Sequence, residues 1–599
     1  MPGIVGIISR GNPEECMSKV RSMVESMKHE RSYVTQTCFV PELGIYAGWL
    51  AHPGSFATRH CGRDERTQTE LVFSGECFGD QSAIDSTAGW IGSRYEKQGQ
   101  HCIENLNGLF SGLLIDHRSR RAFLFNDRYG VERIYVHETD DATYFASEAK
   151  ALLQVLSSLR AFDEAGVAQF LAFGCTMEGK TLFRGVSLLP GGSLWSFEPG
   201  KSPRRERYFV PDAWETQTSL TGEEFENEFS ETFQRILPRY LASEEGLGIS
   251  LTGGLDTRMI MACLRTNAAK AICYTFSGQA GDTLDARLAA RIAAIRSLKH
   301  QVLRIGQDFL KGFATHVDRT VLVTDGCGDA LRAHEMYFNA QGRQLAPIRL
   351  TGNFGSEVLR SMSTFKPLAL APGLLQPKWE TRVATAAECT PSTAVHPVTF
   401  SAFREIPWNL FGTLAAGRSQ LTFRTPYLDN ELVALAYRAP MGMRTSPLPA
   451  LKLIHKSDPV MGNIPTDRGE VYKSRGLVRG FRRLYAEVTF KLDYLHKEGL
   501  PGWLAPLDPM LNSLSGSGLL GLHKFLPYRR WFQNELAPRI TEVLSDRRTQ
   551  ESPWWNAKTL NRLATDHIQG RSNNVREINA VLTLEAVDRL ILKGAPSWS

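Results

Sequence analysis

The sequence predicts an α/β protein whose first half is rich in strands and whose second half is built on a parallel sheet. In the first 212 of the 599 residues, short apolar runs alternate with Gly, Pro, Asp and Asn, which is typical of strands joined by turns. In the second half, strand-like and helix-like stretches alternate, which favours a parallel sheet with helices on both faces. Between the halves, EEFENEFSETFQRILPRYL has the period of an amphipathic helix, so we predict domains at 1–212 and 213–599.

The individual elements follow from these patterns in chain order. The predicted strands of the first half are GIVGIIS, LGIYAGWLA, LVFSGE, GLFSGLLID, RAFLFND, RIYVHE, TYFAS and GGSLWSF. In the second half we predict strands at GLGISL, AICYTFS, QVLRI and PIRLTGN, and helices at TRMIMACLR and DARLAARIAAIRS. Beyond about Leu435 the chain is predicted to be mostly helical, and it is rich in aromatic residues.

Composition excludes several classes of function. The 69 Lys and Arg residues and 63 Asp and Glu residues are spread along the chain, so no nucleic-acid partner is predicted. The 10 cysteines form no Cys-x-x-Cys pair and no zinc-finger spacing with histidine, so no structural metal is expected. No apolar run approaches the roughly 20 residues that a membrane helix needs, and the opening lacks the features of a signal peptide. We therefore expect a cytoplasmic protein without a membrane segment.

One glycine-containing loop imitates a phosphate-binding motif. Residues 174–181, GCTMEGKT, satisfy the Walker A pattern G-x-x-x-x-G-K-[ST]. That pattern binds phosphate only when a strand precedes it and a helix follows it. Here the helical stretch EAGVAQFLAF precedes it and the extended stretch TLFRGV follows, so we predict a structural loop.

A second loop has the correct context for binding an anion. In GISLTGGLDTRMIMA, residues 248–262, a predicted strand leads through a glycine turn into a predicted helix. Backbone N–H groups, a hydroxyl and the positive end of the helix dipole then converge on one point, which predicts a pyrophosphate site. Asp256 repels phosphate but can hold a Mg²⁺ that bridges the phosphates. A purely structural turn is the alternative that this motif leaves open.

Both halves of the chain resemble one enzyme superfamily. TGGLDT resembles the SGGLDS pyrophosphate loop of ATP pyrophosphatases, and LNGLFSGLLIDHRSRRAFLFNDRYGVERIYV, YFASEAKALL and ERYFVP resemble asparagine synthetase B. LTGNFGSEVLR resembles the family's SGEGxDE loop, and FRTPYLDNELV resembles its RVPFLD segment. The chain is therefore similar to the class B asparagine synthetase superfamily, which includes the β-lactam synthetases and lasso-peptide cyclases. This resemblance implies a glutaminase-type, Ntn-hydrolase-like α-β-β-α sandwich, an ATP-pyrophosphatase synthetase domain and, as in many relatives, a possible homodimer.

The first half departs from the family where glutamine is hydrolysed. Asparagine synthetases use an N-terminal cysteine whose own amine serves as base, but position 2 here is Pro2. The family's Asn-Gly-Glu becomes Ser74-Gly-Glu, and its glutamine-holding SDxE stretch has no clear counterpart. Cys16 and Cys38 are expected to be small buried hydrophobic residues. We therefore predict that glutamine hydrolysis is absent and that this domain is retained as a scaffold.

The second half keeps more of the family's residues. The resemblance assigns nucleotide binding to Thr252, Gly253, Gly254, Asp256, Thr257, Thr351 and Gly352. It assigns Mg²⁺ to Asp256 and Glu357, although a shift of one residue aligns Ser356 with the second acid. Asp282 and Asp285 either match a family acidic pair or cap the next helix.

The later motifs leave the catalytic residues open. Arg424 and Asp429 match the family segment, but Thr422 replaces a glutamate that the family has two residues before the arginine. The family also needs a late lysine that neutralises charge as the amide forms. Lys473 and Arg468 are the candidates for that role.

Together these features predict a ligase that depends on ATP and Mg²⁺. A substrate carboxylate is adenylated with release of pyrophosphate, and ammonia or an amine then forms an amide and releases AMP. An amine within the same molecule would make the enzyme a cyclase. Two alternatives remain: a glutamine-hydrolysing asparagine synthetase, and a catalytically silent scaffold.

Overall fold

Two antiparallel sheets form the centre of the first half of the chain. The computed structural model describes residues 1–79, 89–264, 271–278, 281–388, 395–472 and 526–594, together with Val488. Within these residues the first-half strands are β1 Gly3–Ser9, β2 Val34–Val40, β3 Ile45–Ala51, β4 Gly62–Asp64, β5 Thr69–Cys77, β6 Gly108–Asp116, β7 Arg121–Asn126, β8 Tyr135–Glu138, β9 Ala142–Ala146, β10 Ser187–Leu188, β11 Ser193–Phe197 and β12 Arg204–Arg207. One sheet has the order β10-β8-β9-β1-β3-β2, and the other has β12-β11-β7-β6-β5-β4.

The two sheets face each other across an apolar layer. Ile4 from the first sheet and Val72, Leu113 and Leu124 from the second belong to one cluster of buried side chains. The outer faces are covered by helices. These helices are Pro13–Ser26 and Ala149–Val155 on the first sheet, and Phe56–His60 and Trp90–Gln98 on the second. The α-β-β-α sandwich implied by the resemblance is confirmed, because each amphipathic layer buries its apolar face against the next.

A parallel sheet forms the centre of the second half. Its strands are β13 Leu247–Ser250, β14 Ile272–Ser277, β15 His300–Arg304, β16 Ile348–Thr351 and β17 Thr422–Arg424, in the order β15-β14-β13-β16-β17. Every described pair in this sheet is parallel, which confirms the predicted α/β class. The chain proceeds outward from β13 on one side and returns to β16 on the other. The strand order therefore reverses between β13 and β16, which is where open α/β sheets bind ligands.

Helices occupy most of the remaining described chain. The other α-helices are Glu164–Phe173, Asp212–Glu215, Gly222–Leu241, Leu255–Ala262, Leu284–Ile295, Gln307–Lys311, Phe313–Thr324, Ala333–Leu345, Gly355–Arg360, Pro377–Glu388, Pro397–Phe400, Phe411–Arg418, Asn430–Tyr437, Leu448–Ser457, Pro459–Gly462, Tyr528–Gln533, Ala537–Ser545, Arg547–Gln550, Ala557–Ile568 and Val575–Ala586. Ser401–Leu410 and Val587–Leu592 have π-helical hydrogen bonding. In the described part of the chain, none of the helices is both long and apolar enough to cross a bilayer.

The two halves share a hydrophobic core. Leu152 and Phe170 from the first half belong to the same buried cluster as Trp531 and Val581 from the last helices. A capping box at Thr221 begins the helix Gly222–Leu241 that follows the predicted boundary. The division near residue 212 remains a prediction, since the apolar contacts continue across it.

The Walker-like string lies in a loop. The helix Glu164–Phe173 ends immediately before it, and the next regular element is the short strand β10. The Thr181 hydroxyl donates hydrogen bonds to the carbonyls of Phe183 and Val186 rather than pointing to an open site. This arrangement agrees with the structural loop that the flanking sequence predicts.

Candidate functional site

A cavity of about 440 Å³ opens at the carboxyl ends of β13 and β16. Most of the nucleotide-binding residues predicted from sequence line it. These are Thr252, Gly254, Asp256, Thr257, Thr351 and Gly352, together with the predicted metal ligand Glu357. Arg332 and Arg349, which the sequence did not single out, also line the cavity. Two loops that are about 100 residues apart in the sequence thus meet at the point where the strand order reverses.

The first loop is held in shape by its own threonines. The helix Leu255–Ala262 begins directly after Gly254, so its positive end faces the cavity. The Thr257 hydroxyl accepts from the Thr252 backbone N–H at 3.3 Å and lies 3.2 Å from the Thr252 hydroxyl. Thr252 itself is exposed and available to a ligand. This loop can present a hydroxyl and a helix N-terminus to an anion.

Gly352 allows the second loop to approach the first. A Cβ atom at this position would lie 2.7 Å from the Thr257 backbone nitrogen and 2.9 Å from the Asp256 Cβ. Contacts this short are not seen between real Cβ atoms and backbone, so a side chain would push the loops apart. The structure thus brings together Gly352 and the TGGLD loop, both of which the resemblance assigns to nucleotide binding.

Asp285 supports the loop from the next strand-helix connection. Its Oδ1 accepts a hydrogen bond of 2.8 Å from the Gly253 backbone N–H. The cap of the helix Leu284–Ile295 is Thr283, so the reading of Asp282 and Asp285 as capping residues is wrong. Burial raises the pKa of Asp285 to about 6, and nearby Asp467 acts in the same direction. Asp282 instead pairs with Arg304, away from the loop.

Asp256 is bound by an arginine that the sequence analysis missed. Arg360 donates one hydrogen bond of 2.9 Å to each carboxylate oxygen of Asp256, a bidentate ion pair. The Ser356 hydroxyl donates a third bond of 2.9 Å to Asp256 Oδ2. Ser356 and Arg360 lie one turn apart on the helix Gly355–Arg360, so both reach the same carboxylate. Burial alone lowers the pKa of Arg360, but the Asp256 carboxylate outweighs it and holds that pKa above the usual value.

Glu357 lies next to Ser356 on the helix Gly355–Arg360, and the pKa of its carboxyl group is raised. It lines the cavity and is half-buried. Burial raises the pKa of Glu357 to about 7, and the charges of Asp256 and Glu405 add to the effect. Of the two residues that the sequence left as alternatives, Ser356 is therefore the one in contact with Asp256.

The predicted pair Asp256 and Glu357 does not fit a Mg²⁺ ion in this arrangement. Magnesium needs anionic oxygens that are free to coordinate, whereas both Asp256 oxygens accept from Arg360. Glu357 is only partly ionised near neutral pH because its pKa is raised. Across the described ranges, no cluster of three or more His, Cys, Asp or Glu side chains is arranged to hold a metal. The assignment of Mg²⁺ to Asp256 and Glu357 therefore stays a prediction, and the resting arrangement of Asp256 does not favour it.

The two catalytic candidates have different outcomes. Lys473 lies outside the described residues. Arg468 follows Asp467, whose backbone N–H donates a bond of 3.3 Å to the Gly253 carbonyl, so this turn touches the TGGLD loop. The Arg468 side chain is 45% exposed and does not line the cavity. Its catalytic role remains a prediction.

A second, much smaller cavity of about 60 Å³ lies where the halves meet. Pro2 and Ser74 line it, and so do Glu76 and Arg424. Arg424 donates bonds of 2.7 and 2.6 Å to the two oxygens of Glu76, and both side chains are buried. Asp429, the other residue of that segment, is fully buried and caps the helix Asn430–Tyr437.

The cysteines do not supply a nucleophile to the small cavity. Cys16 and Cys38 are buried, as the sequence predicted, and neither is among its lining residues. Burial raises the pKa of the Cys16 thiol. Neither thiol therefore has the exposure or acidity that nucleophilic catalysis requires.

Comparison with known proteins finds a glutamine amidotransferase domain and relatives named as asparagine synthetases. Residues 79–209 match a family model described as a glutamine amidotransferase domain. A Mycobacterium bovis protein named as a glutamine-hydrolyzing asparagine synthetase is 24% identical over 324 residues, covering 53% of this chain and 48% of that protein. The chicken asparagine synthetase is 27% identical over 208 residues, covering 33% and 35%. These matches support a resemblance to the asparagine synthetase superfamily at low sequence identity. It spans about half the length of the curated relatives that it matches.

Sequence analysis did not identify Arg360, and it identified Arg424 without its partner. Arg360 and Arg424 are arginines whose partners are distant in the chain, 104 and 348 residues away. The spacing of Ser356 and Arg360 on one helical face was a signal for the first of them. For Arg424 the sequence offered the family motif but no partner.

Proposed function

We propose that this chain is an ATP-dependent ligase that forms an amide bond through an acyl-adenylate. The observation that carries the proposal is the meeting of the TGGLD loop with Thr351-Gly352 around one cavity at the reversal of strand order. Loops at this point of an open parallel sheet bind nucleotides in many α/β proteins. The similarity to asparagine synthetases supports the same chemistry.

The residues that line the cavity have clear roles in this proposal. The N-terminus of the helix Leu255–Ala262 and the Thr252 hydroxyl would hold the phosphates. Arg332 and Arg349 add positive charge from the opposite side. The substrate carboxylate attacks the α-phosphorus, its oxygen forms the new P–O bond, and pyrophosphate leaves. A nitrogen nucleophile then attacks the acyl carbon, loses a proton and expels AMP.

Glutamine is not the proposed source of that nitrogen. The Glu76 carboxylate in the small cavity is already paired with Arg424. No residue lining this cavity is a cysteine. The nitrogen would therefore be ammonia or an amine, and an amine on the adenylated molecule itself would give a cyclic product.

A glutamine-hydrolysing asparagine synthetase is the second candidate. The match of residues 79–209 to a glutamine amidotransferase domain favours it. Ammonia release from glutamine by the purified chain would support this second candidate.

The test measures pyrophosphate and AMP released from ATP with a panel of carboxylates. Each carboxylate is tested with glutamine, with ammonium, with a primary amine and with no added nitrogen. Turnover with ammonium or an amine but not with glutamine is the expected result. Thr252→Ala should reduce turnover, while Thr216→Ala, an exposed threonine outside the cavity, should not. Failure of the wild-type chain to bind ATP would contradict the proposal and favour a silent scaffold.

A further inference from the structure

We propose that Arg360 neutralises Asp256 in place of a divalent cation, so that the cavity binds the phosphates of a nucleotide without a metal ion. The proposal rests on the proposed function, because it takes the ligand to be a nucleotide. It goes further by assigning to a protein side chain the charge that a metal would otherwise supply. Arg360 is a positioning residue here, since it acts through Asp256.

Both oxygens of the Asp256 carboxylate are already engaged by hydrogen bonds in the resting site. Two bonds of 2.9 Å come from Arg360, and one of 2.9 Å comes from Ser356. Ser356 also accepts a bond of 2.9 Å from Arg360, which closes a ring of three groups. A cation that entered this position would have to displace a guanidinium that is 8% exposed. A guanidinium suits the position because its planar fork matches a carboxylate.

Packing fixes this ring of groups in place. Gly355 lies so close that a Cβ there would be 2.5 Å from the Asp256 Cγ. The Tyr427 hydroxyl donates a hydrogen bond of 2.6 Å to the backbone carbonyl of Asp256. The carboxylate is therefore held by its neighbours before any ligand arrives, and Arg360 is part of the resting site.

The pairing with Arg360 makes the cavity less negative without a metal ion. The pairing with Arg360 removes the negative charge of Asp256 from the floor of the cavity. Arg332 and Arg349 line the cavity, and they are opposed by the partly buried Glu335 near them and by Asp285 and Glu357 in the lining. Without Arg360, the loop that faces the phosphates would carry one more uncompensated negative charge.

The test compares ATP binding in EDTA with ATP binding in excess MgCl₂, by calorimetry on the full chain. We expect the wild-type dissociation constant to agree within about threefold between the two conditions. Arg360→Met should weaken binding in EDTA by about tenfold or more, and Mg²⁺ should restore part of the loss. Arg360→Lys keeps the charge but loses the bidentate contact, so its affinity in EDTA should lie between those of Arg360→Met and wild type.

A second readout does not need a nucleotide. Mn²⁺ titration followed by electron paramagnetic resonance should find no Mn²⁺ site at the loop in wild type. Arg360→Met should create a site that the added change Asp256→Asn removes. Arg589→Met is the matched control, because Arg589 forms a similar bidentate pair with Asp318 outside the cavity, at 2.9 and 2.7 Å.

The outcomes separate this inference from the proposed function. Wild-type binding of ATP only in the presence of Mg²⁺ would overturn the role of Arg360 and leave the ligase proposal standing. The same holds if Arg360→Met binds ATP in EDTA as well as wild type does. Absence of ATP binding under both conditions would overturn both. If Arg360→Met does not fold, the wild-type comparison and Arg360→Lys still decide the question.

Discussion

The two cavities described above contain the same kind of ion pair but differ in volume. In each, a carboxylate from a sequence motif is held by an arginine through two bonds: Glu76 by Arg424 and Asp256 by Arg360. The first cavity measures about 60 Å³ and the second about 440 Å³. Arg424 comes from the other half of the chain than Glu76, whereas Arg360 comes from the short helix Gly355–Arg360 that follows β16 in the same sheet as the Asp256 loop. The same interaction thus joins two halves in one place and prepares a ligand site in the other.

The largest effect is expected from breaking the buried pair in the small cavity. Arg424→Met leaves the Glu76 carboxylate buried without its partner. Removing one member of such a pair typically costs about 3–5 kcal/mol, because the remaining charge is uncompensated. We expect a large decrease in the urea midpoint of unfolding, with little change in ATP affinity for the protein that remains folded.

Two variants check the origin of that loss. Adding Glu76→Gln to Arg424→Met should recover part of the stability, since no charge is then buried alone. Arg438→Met removes a partly exposed pair with Glu228 and should cost less than about 1 kcal/mol. If Arg424→Met lowers the free energy of unfolding no more than Arg438→Met does, the pair of Arg424 with Glu76 does not stabilise the contact between the two halves.

The next effect concerns the pH dependence of stability in the large cavity. The pKa of Glu357 is raised from 4.5 to about 7 in the folded protein, chiefly by burial. The folded state then binds more protons than the unfolded state between these values, so Glu357 makes stability fall as pH rises from about 4.5 to 7. The contribution is up to about 3 kcal/mol.

Glu357→Gln tests this sign. The variant should lose the decrease in the free energy of unfolding that Glu357 causes between pH 4.5 and 7. Urea unfolding at several pH values measures this. The difference from wild type should be small at pH 4.5 and largest above pH 7. A constant difference at every pH would mean that the carboxyl group does not titrate in this range.

The strands that the sequence predicted and those that it missed differ in their position within the sheets. Of the strands that the structure describes, the five that the sequence did not predict are β2, β4, β10, β12 and β17. All five lie at sheet edges. Edge strands are short or half-exposed, so they lack the buried apolar run that identifies interior strands; RRER in β12 is entirely polar. The interior strands were found because both of their faces are covered.

The candidate site divides along the same line. The TGGLD loop and Gly352 were found from sequence because backbone geometry requires particular residues at particular spacings. The ion pairs of Arg360 and Arg424 were not found from sequence, because an ion pair depends on which surfaces the tertiary fold brings together. The family motif suggested a metal at Asp256, and only the structure shows that Arg360 is already bound there.

A glycine substitution sharpens the difference between the cavities. Gly352→Ala would place a Cβ 2.7 Å from the Thr257 backbone nitrogen, so the two loops of the large cavity must separate. We expect ATP affinity to fall by about tenfold, as measured by calorimetry, which corresponds to about 1.4 kcal/mol. Gly442→Ala is the control, because nothing lies within 4 Å of the added atom. Equal affinities for the two variants would show that the meeting of the loops does not form the nucleotide site.

The smallest expected effect concerns the Asp285 carboxyl group, which contacts the TGGLD loop. Asn at position 285 can still accept the Gly253 N–H bond of 2.8 Å, so Asp285→Asn changes charge with little change in geometry. The pKa of Asp285 is about 6, raised mainly by burial and further by Asp467, with Arg468 opposing. Below that pKa the wild-type side chain is neutral like Asn, and above it a negative charge lies beside the site of the phosphates.

We therefore expect Asp285→Asn to bind ATP about threefold more tightly than wild type at pH 8 and equally at pH 5. Taking the ratio of variant to wild type at each pH removes the titration of ATP itself. Asp282→Asn is the matched control, because Asp282 pairs with Arg304 and does not line the cavity. If Asp285→Asn weakens binding at pH 8, the Asp285 charge fixes the loop more than it repels the ligand. The large cavity would then depend on an ionised carboxylate for its shape, as the small one depends on Glu76.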